Sequence, residues 1–192
     1  MVIGITGRIA SGKSTVCKYI KGIRKDALLL NIDDTAKNIY FRTPEVLNKL
    51  KKMFGSEILD TGGNLDFKSL AQKVFSDKTE LMRLNRLMFP LIRREVKNIL
   101  DKSCNKTYII MEAAILFECK LDLLCDYIIL IDAPVEKRKN FLKQKNFSDY
   151  DIELRMRGQY IKVNEKKVDF IIHNNGSRKD LLKKVKEILK NI

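Results

Sequence analysis

The chain has 192 residues, 45% of them hydrophobic, which suits one globular domain with room for a modest insertion. The 38 Lys and Arg residues outnumber the 24 Asp and Glu residues and give a formal net charge of +14, which favours phosphate-rich ligands. Because the basic residues are spread along the chain, they do not indicate a nucleic-acid-binding arm. The apolar runs are too short to cross a bilayer and no signal peptide is expected, so the predicted location is cytoplasmic, without a membrane or nucleic-acid partner.

The first predicted elements are a short buried strand, a glycine-containing loop and an amphipathic helix. Apolar, β-forming residues mark Met1 to Thr6, and the loop GRIASGKS, from Gly7 to Ser14, fits the pattern G-x-x-x-x-G-K-[ST]. This pattern is typical of the P-loop, which binds the phosphates of a nucleoside triphosphate at the positive end of the helix that follows. The alternative is an ordinary glycine-rich turn between a strand and a helix.

The chemistry of phosphate binding gives each residue type in the loop a role. Gly7 and Gly12 allow backbone angles that a Cβ would resist, and Lys13 is predicted to bridge the β- and γ-phosphates of ATP. The hydroxyl of Ser14 is predicted to bind Mg²⁺. The predicted nucleotide-binding residues of the loop and the helix start are Ala10, Ser11, Gly12, Lys13, Ser14 and Thr15.

A second strand is predicted over residues 27–33, with Asp33 at its carboxyl end. A carboxylate at this place can accept the proton of an acceptor hydroxyl, whereas the alternative is a turn or helix-cap role beside Asp34. The next strand-like run begins at Thr107, and this gap is too long for one crossover helix. Capping residues and prolines in the gap, including a Pro90 that opens or kinks a helix, predict a helical acceptor-binding insertion over about residues 35–106.

The second half of the chain returns to alternating strands and helices. Strands are predicted over 127–132 and 169–174, and a helix capped by Ser177 closes the chain. Two basic helices around a short loop form a candidate lid over about residues 138–160. The predicted fold class is α/β, a P-loop NTPase-like parallel sheet flanked by helices, with a core formed by 1–34 and 107–192.

The cysteines and the single histidine do not indicate a metal site. The four cysteines show no C-x-x-C spacing, so reduced thiols in the core or on the surface are expected. His173 is predicted to lie at a strand end, and no nucleophile signature accompanies it.

Several spaced segments resemble the dephospho-CoA kinase family, from Ile3 to about Leu189. Besides the P-loop, they are LLNIDDTAKNIY, FGSEIL, GGNLDFKSLAQKVFSD, EAAILFE, RMRGQ and VDFIIHNNGS. The resemblance implies transfer of the ATP γ-phosphoryl to the ribose 3′-hydroxyl of dephospho-CoA, the last step of CoA synthesis, with Mg²⁺ as metal ion. It also implies that Lys13 and Asp33 are catalytic, that Arg155 is a catalytic lid residue unless it is merely solvated, and that Asn175 lies in the loop under the adenine.

The chain departs from the family pattern at several positions: Asn31 stands for the usual Asp, Phe67 for Arg, Phe89 for His, Ala114 for Pro, and Phe141 and Lys145 for lid arginines. Phe89, directly before Pro90, is expected to alter contacts with the acceptor. Loss of the lid arginines shifts stabilisation of phosphoryl charge onto other basic side chains; the candidates are Lys145, Arg138, Arg155 and Arg157.

Two other functions fit parts of the pattern. One is another P-loop kinase, acting on a small molecule or a nucleoside monophosphate. The other is a basic P-loop module that uses nucleotide as a switch and binds nucleic acid, which the helical insertion disfavours because it indicates an acceptor site. A monomer is the favoured oligomeric state.

Overall fold

Five parallel strands form one sheet in the computed structural model, which describes residues 1–158 and 164–192. The strands are β1 (Val2–Thr6), β2 (Leu28–Asn31), β3 (Ile109–Glu112), β4 (Tyr127–Asp132) and β5 (Phe170–His173). The order across the sheet is β2-β3-β1-β4-β5, and every neighbouring pair is parallel. This confirms the predicted fold class, a parallel α/β sheet that begins with a P-loop.

The helices are α1 (Lys13–Ile23), α2 (Ile32–Arg42), α3 (Pro44–Phe54), α4 (Phe67–Ser76), α5 (Lys78–Lys102), α6 (Val135–Lys143), α7 (Asp149–Gly158) and α8 (Arg178–Ile188). Helices α2 to α5 fill the long segment between β2 and β3, and α6 and α7 cover most of the predicted lid. Gln159, at the end of the RMRGQ segment, and the predicted lid end at about residue 160 lie outside the described residues.

Two apolar cores lie on the sheet. One joins α1 and α8 to β1 and β4, through buried residues such as Ile20 and Val185. The other joins the α2–α5 helices to β3, through fully buried side chains such as Leu50 and Phe54. Because all strands run the same way, both cores hold the carboxyl ends of the strands at one edge, where ligands of such sheets bind.

The structure corrects two local predictions. The second strand ends at Asn31, so Asp33 lies in the first turn of α2 and not at a strand end. The cause is a cap: Asn31 Oδ1 accepts a hydrogen bond of 3.1 Å from the backbone N–H of Asp34 and starts the helix early. Pro90 does not open a new helix but lies inside the 25-residue α5, whose buried Met88 and Ile92 on either side hold the helix in its core.

The helix boundaries otherwise follow capping residues. The side chain of Asp66 caps α4, and Ser177 forms a reciprocal capping box with Asp180 at the start of α8. Among the helices of the described ranges, none combines the length and the apolar character that a bilayer crossing requires.

All four cysteines are free thiols, which confirms the prediction of reduced cysteines in the core and on the surface. Burial raises the pKa of Cys119 to about 11 and that of Cys125 to about 12, and it raises that of Cys17 well above its ordinary value. Cys104 is exposed.

We therefore expect the native protein to react rapidly with a maleimide at Cys104 alone, at about pH 8, because only an accessible thiolate is a good nucleophile. The stoichiometry of labelling, followed by mass spectrometry, checks this. Cys104→Ser should abolish the fast reaction, and the denatured wild type should label at all four thiols. A fast reaction that survives in Cys104→Ser would show that at least one of the other three thiols is more accessible than the structure indicates.

Candidate active site

The P-loop leaves the central strand β1 and wraps around the N-terminus of α1. Gly7 has φ +143° and Gly12 has φ +105°. A Cβ added to Gly7 would lie 2.2 Å from the carbonyl oxygen of Ile131, and one added to Gly12 would lie 2.5 Å from Asn174 Nδ2. Both positions therefore require glycine, for backbone angle and for space.

The loop leaves backbone donors at the start of α1 without a capping side chain from the described part of the chain. Gly12 is the N-cap of α1, and no side chain of the described residues caps this helix. The loop is held by the backbone N–H of Ser11, which donates to the carbonyl of Arg8 at 3.1 Å, and by Asn174 Nδ2, which donates to the carbonyl of Ser11 at 2.8 Å. A fixed loop with uncapped helix N–H groups is a phosphate site.

Lys13 folds its ammonium group back over the loop. Nζ donates hydrogen bonds of 3.0 Å and 3.1 Å to the carbonyl oxygens of Gly7 and Arg8. Burial lowers the pKa of Lys13, and the nearby charges of Glu112 and Asp33 oppose that shift. The ammonium thus lies between the phosphate loop and two carboxylates.

Glu112, at the end of β3, belongs to this site, although the sequence analysis did not select it. Its side chain is buried and accepts hydrogen bonds from Ser14 Oγ at 2.5 Å and from Asn31 Nδ2 at 3.4 Å. The signal was present in the sequence, since Glu112 follows a strand whose carboxyl end meets the P-loop edge. The departure at Asn31 thus has a structural role, because the amide binds Glu112 and caps α2.

The oxygens around Ser14 fit Mg²⁺ in part. A hydroxyl and a carboxylate are the hard ligands that this ion prefers, and in kinases it takes most of its remaining shell from phosphates and water. The described residues contain no cluster of three or more His, Cys, Asp or Glu that would hold a metal ion alone. The donor set therefore suits an ion that arrives with a nucleotide.

Asp33 is exposed and lies close enough to Lys13 for its charge to raise the pKa of that ammonium. The N-cap of α2 is Asn31, so Asp33 lies in the first turn of the helix and is not its cap. Asp34 points to a different partner, Lys37, at 3.8 Å. The structure thus brings Asp33, and not Asp34, to the P-loop lysine.

A cleft of about 470 Å³ opens between the P-loop, α6 and the loop after β5. Its lining residues are Ala10, Gly12, Thr15, Lys137, Asn140, Phe141, Gln144, Asn174, Gly176 and Arg178. Lys137 Nζ donates to Asn174 Oδ1 at 2.9 Å and to the carbonyl of Gly176 at 2.7 Å. Asn174 therefore lines this cleft, whereas its neighbour Asn175 is exposed and accepts a hydrogen bond of 3.4 Å from Lys184.

A second cleft, of about 380 Å³, shares its floor with the first and extends over the phosphate loop. Lys145 lines it, with Nζ 5.0 Å from the ring centroid of Phe141. Arg155 lies behind the cleft wall, because its guanidinium stacks 4.8 Å from the ring centroid of Phe147. Arg157 is paired with Glu153 at 3.3 Å. The lid cations that looked alike in the sequence thus occupy different places.

Phe89 lies apart from these clefts, in a cavity of about 420 Å³ on one face of α5. Its lining residues are Met82, Asn85, Arg86, Phe89, Pro90, Arg93, Glu118 and Lys120. The thiol of Cys119 donates to the carbonyl of Phe89 at 3.5 Å, which joins α5 to the loop after β3. That loop follows Glu112, the last residue of β3, and so connects the cavity with the P-loop site.

Comparisons with known proteins agree with this geometry. The family model described as dephospho-CoA kinase matches residues 1–180. A dephospho-CoA kinase of Fusobacterium nucleatum is 34% identical over 194 aligned positions, covering 100% of this chain and 98% of the relative.

Two solved structures have similar folds. The Thermus thermophilus protein TT1252 is 29% identical with a TM-score of 0.78, covering 100% of this chain and 97% of that one. A dephospho-CoA kinase from Campylobacter jejuni is 26% identical with a TM-score of 0.65, covering 98% and 95%.

Lys13→Ala is expected to lower phosphoryl transfer from ATP by about 100-fold or more, because it removes the cation that faces the phosphates. The melting temperature should change little, since the ammonium binds only two loop carbonyls. Steady-state kinetics and thermal unfolding check both. Lys25→Ala, an exposed lysine beyond α1, is the control, and normal turnover in Lys13→Ala would contradict the phosphate site.

Proposed function

The chain belongs to the dephospho-CoA kinase family, and we propose that the side chains gathered around Lys13 carry out the reaction of that family. The reaction is the ATP-dependent phosphorylation of the 3′-hydroxyl of dephospho-CoA, in coenzyme A biosynthesis. The main support for the residue assignments is that the P-loop, Glu112 and Asp33 converge at one edge of the sheet. The alternatives of another small-molecule kinase or a nucleic-acid-binding switch are not favoured, because the family match spans residues 1–180.

ATP binds with its phosphates on the P-loop. The proposed nucleotide-binding residues are Ala10, Ser11, Gly12, Lys13, Ser14, Thr15 and Asn175. Lys13 exchanges its two loop carbonyls for phosphate oxygens, and Ser14, hydrogen-bonded to Glu112, holds Mg²⁺. The metal ion, when bound, neutralises charge on the phosphates. Asn174 supports the loop from below through its bond to Ser11.

Asp33 acts on the acceptor. Its carboxylate accepts the proton of the 3′-hydroxyl, or holds that hydroxyl in line with the γ-phosphorus, as the oxygen attacks. Support comes from its exposure and from its charge, which is close enough to Lys13 to raise the pKa of that ammonium. Arg155 stays a predicted catalytic lid residue: it lies one side chain behind the cleft, stacked on Phe147.

The cavity on α5 binds the part of dephospho-CoA that is remote from the reacting hydroxyl. Three cations, Arg86, Arg93 and Lys120, line it together with one carboxylate, that of Glu118. None of the three cations forms an ion pair with a residue of the described ranges. This excess of positive charge complements the diphosphate of the acceptor.

The same cavity has an apolar side formed by Met82, Phe89 and Pro90, which suits the pantetheine arm. Binding energy from this arm can orient the ribose for transfer, so that the remote cavity contributes to the rate as well as to affinity. The cytoplasmic location and the monomeric state stay predictions.

Asp33→Asn is expected to retain ATP binding and to lower kcat by about 100-fold or more, because the amide cannot accept the proton. Asp34→Asn is the matched control: the adjacent carboxylate is also exposed but pairs with Lys37, so its loss should leave the rate near normal. Equilibrium titration with ATP and single-turnover transfer separate binding from chemistry. Equal rates for Asp33→Asn and the wild type would reduce Asp33 to a structural residue.

An assay of ADP release tests the acceptor, with dephospho-CoA, AMP and adenosine compared. Dephospho-CoA should have by far the highest kcat/KM. Arg93→Ala should raise the KM for dephospho-CoA by about 10-fold to 100-fold, the effect of a lost charged hydrogen bond. The KM for adenosine should not change. Arg94→Ala, an exposed neighbour outside the cavity, should change neither.

Phe89→His should change the KM for dephospho-CoA more than the KM for ATP, because Phe89 lies in the cavity and not at the P-loop. A preference for AMP by kcat/KM would overturn dephospho-CoA as acceptor. Equal losses in Arg93→Ala and Arg94→Ala would overturn only the cavity assignment.

A further inference from the structure

Arg138, on the first turns of α6, is a charged side chain in an unusual place. Its residue is only 4% exposed, yet its Nε has no hydrogen-bond partner. No hydrogen bond or ion pair joins the guanidinium to any residue of 1–158 or 164–192. A buried charge without a partner is costly, and proteins normally pair it or use it to bind something.

The charges around Arg138 are mostly positive. Burial lowers the pKa of Arg138, the charge of Arg8 lowers it further, and Asp132 opposes the shift. Arg138 in turn lowers the pKa of Lys13. The charge of Arg138 is therefore felt at Lys13, and that of Arg8 at Arg138.

Asp132 does not neutralise this group. Its carboxylate is half exposed and lies 3.4 Å from Nδ1 of His173, the residue that pairs with Asp132 on the neighbouring strand β5. It forms no ion pair with Arg138 among the described residues.

The chain path explains why Arg138 reaches the phosphate loop. The carbonyl of Ile131, near the end of β4, lies against Gly7, and α6 begins four residues later at Val135. The backbone N–H of Arg138 donates to the carbonyl of Pro134 at 3.1 Å, so Arg138 closes the first turn of the helix. A first-turn side chain of α6 thus stands beside the first residues of the P-loop.

Resting on the proposed function, we infer that Arg138 binds the terminal phosphate of ATP and stabilises the phosphoryl group during transfer. The terminal phosphate is favoured because Arg138 lies in the first turn of α6, which follows the strand end packed against Gly7, and because its charge acts on Lys13 and that of Arg8 acts on it. Negative charge on the phosphoryl oxygens supplies the partner that the guanidinium lacks. Arg138 is thereby a further catalytic residue, which the lid provides in addition to the predicted Arg155.

The first measurement compares an ATP analogue that cannot be hydrolysed with ADP, without any acceptor present. In the wild type the analogue should bind more tightly than ADP, and Arg138→Met should lose about tenfold or more of that preference, the effect of a lost charged hydrogen bond. Arg138→Lys should restore part of it. Lys139→Ala, a neighbour paired with Glu136 at 3.9 Å, is the control and should keep the preference.

The second measurement is the melting temperature without ligand. Because Arg138→Met removes an unpaired buried cation, the melting temperature of this variant should be unchanged or higher. Its kcat should fall by about 100-fold. A lower melting temperature with an intact preference for the ATP analogue would overturn the inference and make Arg138 structural. Because no acceptor enters the binding comparison, this result is independent of whether dephospho-CoA is the acceptor.

Discussion

The backbone of Gly7 lies against the carbonyl oxygen of Ile131, so closely that a Cβ at Gly7 would be 2.2 Å from that oxygen. This contact fixes the beginning of the P-loop on the end of β4. The neighbouring strand β3 brings Glu112 to the other side of the loop, where its carboxylate accepts a hydrogen bond from the hydroxyl of Ser14. The phosphate loop is therefore clamped between two strand ends, and the groups that follow those strands become its neighbours.

That placement puts the negative and the positive charges of the site on opposite sides of the P-loop. On the β3 side, Glu112 and Asp33 face Lys13 with negative charge. On the β4 side, Arg138 and Arg8 add positive charge. The side with carboxylates suits a metal ion and an acceptor hydroxyl, whereas the side with guanidinium groups suits phosphate oxygens. The topology, with β1 between β3 and β4, is what separates the two kinds of chemistry.

Much of this arrangement was predictable because local patterns encode it. The spacing of GRIASGKS specifies the phosphate loop, and apolar runs specify the strands that surround it. Strand order is not local, so the position of Glu112 after a predicted strand indicated the edge of the sheet but not that Glu112 would lie beside Ser14. The end of β2 was misplaced by two residues because the cap at Asn31 starts α2 early. The lid cations are equally basic in sequence, and only burial and stacking distinguish Arg138 from Lys145 and Arg155.

Pro90 in the middle of α5 has a consequence for the wall of the cavity on that helix. Proline has no N–H, so the carbonyl oxygen of Arg86, four residues earlier, receives no helical hydrogen bond from this position. Arg86 and Pro90 both line the cavity on α5. The wall of the cavity therefore includes the turn of α5 in which this helical hydrogen bond is missing. That interruption belongs to the main chain, so only replacement of the imino acid itself would restore the bond.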